Sequence, residues 1–266
     1  MQTGRMRTEV VSEPGLADRP NEDFAAVALP ASGQGGCLVV LDGVTPTEET
    51  GCLHSVPWFT ARLGGALTEL TVSCADLTLT EILSRAIART AEAHALTCDL
   101  SHPRTPQATV VLARWSARTV DHLVLSNSAL LLETADGSVL PVLDDRLARL
   151  PRAALATDEF VNATLRNKEG GFFTAAADPS VAERAVTGSV PRDRVRALAA
   201  LTDGAARWTE KFGEGDWTQC LALIRKEGAR TLVDRVRELE RADRDTRTHL
   251  GRSKTHDDAT VAFAEL

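Results

Sequence analysis

The chain has 266 residues, 43% of them hydrophobic and 25% charged, with a formal net charge of -7. Such a chain can bury roughly 75% of its unfolded surface without staples. Its acidic balance excludes the electrostatic footprint of a protein that binds nucleic acid or an anionic membrane, so clustered acids would point to a cation as partner.

Five cysteines (Cys37, Cys52, Cys74, Cys98 and Cys220) are odd in number and form no C-x-x-C pair. The spacing indicates neither a disulfide framework nor a zinc ribbon and fits a reduced cytosol. The N-terminus lacks the apolar core of a signal peptide, and no run of about 18 apolar residues occurs. A cytoplasmic location is therefore expected. No repeat and no linker divides the chain, so residues 1–266 read as one domain.

Taken in order, Arg7 to Val11 has weak strand character, and a Pro- and Gly-containing loop leads to Asn21-Glu22-Asp23. Phe24 to Leu29 is a second apolar run. Ser32 to Gly36 reads as a hairpin turn feeding a buried strand, Cys37 to Leu41, which ends in Asp42-Gly43. In an antiparallel pair this places Asp23 beside Asp42. Two helices follow, one with Val56, Phe59, Leu63, Leu67 and Leu70 on one face, the other opening on a capping box formed by Thr78 and Glu81.

The middle is strand-rich, with Thr109 to Trp115, His122 to Ser126, Ala129 to Glu133 and Ser138 to Leu143 read as one antiparallel meander. Pro151 to Gly171 is a helical or irregular excursion, and Phe172 to Ala176 reads as a strand. Asp178-Pro179 opens a helix to about Val186. Val195 to Thr202 is the next strand, again ending in Asp-Gly at Asp203-Gly204. Helices over Asp216 to Glu227 and Ala229 to Ala242, a polar loop, and His256-Asp257-Asp258 before a last strand, Ala259 to Ala264, complete the chain.

Carboxylates thus stand at four strand ends: Glu22-Asp23, Asp42, Asp203 and Asp257-Asp258. Each alone also fits a turn residue. Convergence without nearby lysines would suit a hard divalent cation, because oxygen-only ligands select magnesium, manganese or calcium over zinc.

N-E-D at 21 to 23, L-D-G at 41 to 43, L-T-D-G at 201 to 204 and H-D-D-A-T-V at 256 to 261 resemble, in order and spacing, the type 2C metal-dependent protein phosphatases, over about residues 8 to 264. The resemblance implies an α+β fold, a four-layer α/β/β/α sandwich with two central antiparallel sheets, and a binuclear Mn²⁺ or Mg²⁺ centre at one end. It implies that Asp42 bridges both ions, that the Gly43 carbonyl ligates one, and that Asp203 and Asp257 complete the other ion's shell. Glu22 and Asp23 would act through metal-bound water, making Asp23 and Asp42 the catalytic carboxylates. Asp258, where the family has Asn, would stand behind the ligands. His256, beside Asp257, reads equally as a residue behind the ligands and as a solvated loop residue. The implied reaction is hydrolysis of a phosphorylated protein or a small phosphoester by water attack, with no covalent intermediate.

The chain departs from the family at several points. Ser126-Asn127-Ser128 stands where Gly-Asp-Ser is usual, and Arg207 where a second acid for a third metal is usual. A third ion is therefore not expected there, and Arg207 becomes a candidate anion ligand. The usual phosphate-binding arginine position is Asp18, so Arg19 is its candidate substitute. The rim from Val44 to His54 matches neither usual family version. His54 could protonate a leaving group and Cys52-x-His54 could bind a soft metal, although packing or surface roles are the preferred reading of each. The departures keep two alternatives open: another hydrolytic or lyase reaction at the same centre, and a catalytically inactive module that binds a partner.

Overall fold

The computed structural model describes residues 6–31, 35–46, 49–246 and 255–266. Parts of the expected 32–36 turn, the 44–54 rim and the 243–255 loop lie outside them. Among the described residues, ten strands form two five-stranded antiparallel sheets. The first has the order β2 (Phe24–Ala28), β3 (Gly36–Leu41), β4 (Val110–Trp115), β5 (Thr119–Leu125) and β8 (Val186–Pro191). The second has the order β1 (Thr8–Glu13), β10 (Ala259–Glu265), β9 (Val195–Leu201), β6 (Ala129–Thr134) and β7 (Val139–Leu143).

The sheets stack because their central strands are apolar on both faces. In β3, Leu38 and Val40 pack with Val111, Val124, Leu130, Leu198 and Ala262 between the sheets, while Val39 and Leu41 pack outward under helices. Those helices are α1 (Val56–Ser73) and α2 (Leu79–His94), which bury Phe59, Leu63, Ile82 and Ile87 on the first sheet. The capping box is formed: the Thr78 hydroxyl accepts from Glu81 N, and the Glu81 carboxylate accepts from Thr78 N at 2.8 Å.

Between β7 and β8 the chain makes only short helical turns, including α3 (Arg146–Arg149) and α4 (Asp158–Phe160). The second sheet is covered by α5 (Asp203–Glu210), α6 (Trp217–Glu227) and α7 (Ala229–Thr246), through Trp208, Ile224, Leu232 and Val236. The architecture is the expected four-layer α/β/β/α sandwich.

Four local expectations are corrected. The middle strands do not form one meander: β4 and β5 pair in the first sheet, β6 and β7 in the second. The crossing is made at Ser126, whose φ of 70° turns the chain between sheets. Phe172 to Ala176 contributes only isolated bridges, Phe172 with Arg166 and Ala175 with Ala108, not a regular strand. The Asp178–Pro179 cap opens a 3₁₀ turn, Pro179–Arg184, and β8 follows where strand character was not read. Finally, Cys52 and Cys98 form a disulfide although 46 residues apart, which spacing alone does not reveal.

Asp23 ties the two sheets together at one end. It precedes β2 in the first sheet, and its Oδ2 accepts hydroxyl hydrogen bonds from Thr260 at 2.6 Å and Thr202 at 3.1 Å, both in the second. Its Oδ1 is buried without a hydrogen-bond partner in the structure. Burial above all, with the Asp258 and Asp203 carboxylates adding to it, raises the Asp23 pKa to about 8 against the pull of the two hydroxyls.

An acid whose folded pKa lies above its unfolded value binds its proton more tightly when folded, so stability falls as pH rises from the unfolded pKa towards the folded one. The Asp23 carboxyl by itself should therefore lower the stability of metal-free protein by on the order of 2–4 kcal/mol between pH 5 and pH 8. Asp23→Asn should flatten that slope in urea denaturation at the two pH values. An unchanged slope in the variant would refute this account of Asp23.

Candidate active site

The registers decide which loops meet. In the first sheet Phe24 pairs with Leu41, Val40 with Val111 and Val110 with Leu125. In the second, Leu201 pairs with both Val261 and Ala129. Residues 22–23, 42–43, 109, 126–128, 202–203 and 257–258 therefore emerge at one end of the sandwich. The Thr109 hydroxyl, which accepts from Asp42 N, lies 2.6 Å from that of Ser128, linking the sheets again beside Asp42.

Two glycines permit the close approach. A Cβ at Gly43 would stand 2.4 Å from Val56 Cγ1 and 2.5 Å from the Glu22 carbonyl oxygen. One at Gly204 would stand 1.9 Å from the Asp258 carbonyl oxygen. The Asp-Gly endings of β3 and β9 thus let neighbouring backbone press against the residue that follows each aspartate.

Two adjoining cavities open at this end. One, of about 400 Å³, is lined by Asp42, Gly43, Asn127, Asp203, Arg207 and Asp257, together with Arg104 and Arg166. The other, of about 520 Å³, is lined by Arg19, Glu22, His256, Asp257 and Asp258. Thr45 and Asp257 border both. Of the carboxylates at the four strand ends, the fold brings Glu22, Asp42, Asp203, Asp257 and Asp258 to these cavities. Asp23 lines neither, since its carboxylate is turned between the sheets.

The carboxylates are already engaged. Asp203 Oδ2 accepts from Asn127 Nδ2 at 2.8 Å, and Glu22 accepts from the Thr45 hydroxyl. Asp258 holds the incoming loop, accepting from Gly15 N at 2.8 Å and Glu22 N at 2.7 Å. Asp257 accepts from Arg207 at 3.0 Å. The Arg207 guanidinium also pairs with Glu240 of α7, a side chain buried to 0% exposure, and with the Thr255 carbonyl. Glu240 further accepts from Arg237 at 2.7 Å and meets His256 Nδ1 at 2.9 Å. Arg207, expected as an anion ligand, is thus held between two carboxylates, and His256 stands behind Asp257 as part of the same network. Arg19 is exposed on the rim of the larger cavity.

Sequence reasoning missed Arg104 and Arg166. Arg104 is only 7% exposed, and its guanidinium lies 3.5 Å from Asn162 Oδ1 and 3.8 Å from Asp158. Arg166 bonds Asn162 Oδ1 at 3.2 Å and Gln107 Oε1 at 3.5 Å and lies over the Phe172 ring. Burial first, and the neighbouring Arg104 next, lower the Arg166 pKa to about 10, so it stays a cation at neutral pH. Neither arginine sits at a fixed interval from an acidic motif. Their one sequence signal is a basic residue in a segment flanking β4 or in the irregular excursion after β7.

The carboxylate-rich, sulfur-free donor set around Asp42 suits a hard divalent cation.

No family model matches the sequence, and no curated protein sequence matches it. Solved structures do match. The serine/threonine phosphatase Stp1 from Staphylococcus aureus superposes with a TM-score of 0.60 at 14% identity, covering 98% of this chain and 95% of that one. PppA of Pseudomonas aeruginosa, described as a regulatory component of a type VI secretion system, gives 0.60 at 15% identity, covering 98% and 97%. The catalytic domain of the serine/threonine phosphatase PstP, in complex with two manganese ions, gives 0.59 at 18% identity, covering 98% and 97%. Over nearly its whole length, this chain has the fold of the bacterial metal-dependent serine/threonine phosphatases.

Proposed function

We propose that the protein is a metal-dependent phosphoester hydrolase acting on a phosphorylated protein or a small phosphorylated molecule. The observation that carries this reading is the cavity in which Asp42, Asp203 and Asp257 face Arg104 and Arg166. Carboxylates alone would repel a phosphate dianion, and arginines alone would bind one without activating water. The two together divide the work.

In this reading Asp42, the Gly43 carbonyl, Asp203 and Asp257 hold two Mn²⁺ or Mg²⁺ ions, with Glu22 at the edge of the set. When bound, the ions supply Lewis-acid neutralisation of phosphate charge and activation of the attacking water. The protein's own groups do the rest. Arg104 and Arg166 take the phosphate oxygens and orient the ester. Asn127 and Arg207 orient Asp203 and Asp257. Asp258 fixes the Glu22 loop, and Asp23 fixes the spacing of the sheets beneath the site.

A second reading has its own observation. Asp257 is committed to Arg207, itself anchored on buried Glu240, so a cation there must compete with a guanidinium. That favours a module that keeps the fold with little or no turnover.

The purified protein should hydrolyse an aryl phosphate in Mn²⁺, and chelation should stop it. Asp42→Asn should lower kcat at least about 1000-fold and abolish tight Mn²⁺ binding measured by titration calorimetry. No turnover on any phosphoester despite two bound metals would sink this reading in favour of another reaction at the same centre, and failure to bind metal at all would leave the second reading. Arg166→Ala and Arg104→Ala should each lower kcat/KM by about 10–100-fold, the value of one charge-assisted hydrogen bond, with Mn²⁺ affinity unchanged. An unaltered kcat/KM in both variants would remove them from substrate binding.

A further inference from the structure

At the rim beyond Asp42-Gly43, a second group of ligating side chains converges that the proposed hydrolysis does not use. Cys52, His94 and Cys98 each offer an atom, and the three atoms lie within 4.8 Å of one another. They arrive from separate elements. Cys52 belongs to the segment leading into α1, His94 is the last residue of α2, and Cys98 lies four residues on, paired across a β-bridge to Cys52. His54, two residues after Cys52, stacks on Trp58 with ring centroids 3.9 Å apart, and its ring lies 6.2 Å from that of His94.

His94 is the informative member. It is 1% exposed, its Nδ1 lies 3.4 Å from Cys52 Sγ, and its Nε2 has no hydrogen-bond partner in the structure. Ligation through Nδ1 would place the ring proton on Nε2, so what marks His94 as a ligand is its burial and the approach of Nδ1 to Cys52 Sγ. The remaining cysteines differ. Cys37 and Cys220 are buried, and their thiol pKa values are pushed up to about 11 and about 12.

We infer that Cys52, Cys98 and His94 form a redox-gated site for a thiophilic divalent cation of the zinc class, with His54 as the neighbouring imidazole for a fourth position. The distances suit it. Zn–S and Zn–N bonds of about 2.3 and 2.0 Å at a tetrahedral angle place sulfur and nitrogen about 3.5 Å apart and two sulfurs about 3.7 Å apart. The Cys52–His94 separation, at 3.4 Å, is already close to this value, whereas the sulfurs must part and His54 must turn in towards the site.

The disulfide is the metal-free, oxidised state. A dithiol reductant opens it by exchange: two electrons and two protons pass to Cys52 and Cys98, and the reductant becomes the disulfide. Binding of the cation then releases the two thiol protons. In the disulfide-bonded state the rim is tied to residues 97–104 by Asp99 N, which donates to the Gly51 carbonyl at 2.7 Å, and within that segment Arg104 N donates to His102 Nδ1 at 3.1 Å. The site thus lies on the segment that carries Arg104 into the catalytic cavity, although the inference does not depend on what that cavity does.

The test uses the full chain, reduced with a phosphine under anaerobic conditions until a thiol reagent counts five thiols in a denatured aliquot, then titrated folded with Co²⁺ and Zn²⁺. One equivalent of Co²⁺ should give thiolate-to-cobalt charge-transfer absorption, which Zn²⁺ displaces. Cys52→Ser and Cys98→Ser should each abolish the band and weaken Zn²⁺ at least about 100-fold, as loss of a ligand costs more than loss of its outer support. His94→Gln should weaken it similarly in protein shown to be folded by circular dichroism, and Asp42→Asn should leave the band in place. No band in fully reduced wild type, or a band that survives in Cys52→Ser, would overturn the proposal; the first result would identify the pair as a structural disulfide alone.

Discussion

The structure depends on burying both faces of its central strands. Leu38 to Leu41 of β3 and Leu198 to Leu201 of β9 are fully buried, half of each strand facing the other sheet and half facing helices. A strand buried on both faces cannot slip by one residue without transferring its inward set to the outward layer. The pairings of Leu41 with Phe24 and of Leu201 with Val261 are thereby locked, and with them the position of every loop at that end. The candidate site is a consequence of this constraint. Aspartates that follow these strands cannot be elsewhere.

Polar ties then refine what apolar packing positions. Asp23 reaches across from the first sheet to Thr202 and Thr260, and Thr109 reaches Ser128, so the sheets are pinned together directly beneath the cavity. Behind it, Glu240 gathers Arg207, Arg237 and His256 with no exposure to solvent, and Arg207 passes that constraint to Asp257. Breaking one partner of such a network leaves a buried charge uncompensated, which is strongly unfavourable. The loop before β10 is held by this cluster, where a flexible approach would blur the position of Asp257.

Charge at the cavity is consequently balanced from several directions. Carboxylates come from strand ends, and arginines from a helix and from two irregular segments. The rim adds a different chemistry, where sulfur and imidazole replace carboxylate. If both proposed sites take metal, hard-cation and thiophilic ligands would be kept on separate groups of residues, in line with their differing affinities.

How far this was legible in the sequence follows from what each feature needs. Strand ends were readable, because an apolar run followed by Asp-Gly, as at Asp42 and Asp203, or preceded by paired acids, as at Glu22-Asp23 and Asp257-Asp258, is a local pattern, and the four in order pointed to the fold. Helices α1 and α2 were readable from period and capping for the same reason. The division of the middle strands between two sheets was not, because β5 and β6 are individually alike and only Ser126, in a left-handed conformation, sends the chain across. Nor could spacing show that Cys52 meets Cys98, that Asp23 turns inward, that Arg207 is captured by Glu240, or that Arg104 and Arg166 enter the cavity. The sequence by itself determined which residues stand at the ends of buried strands, since hydrophobic period and turn chemistry act over a few residues. Only the tertiary structure decided which partners those residues meet, since contacts across dozens of residues arise from packing that no local pattern encodes.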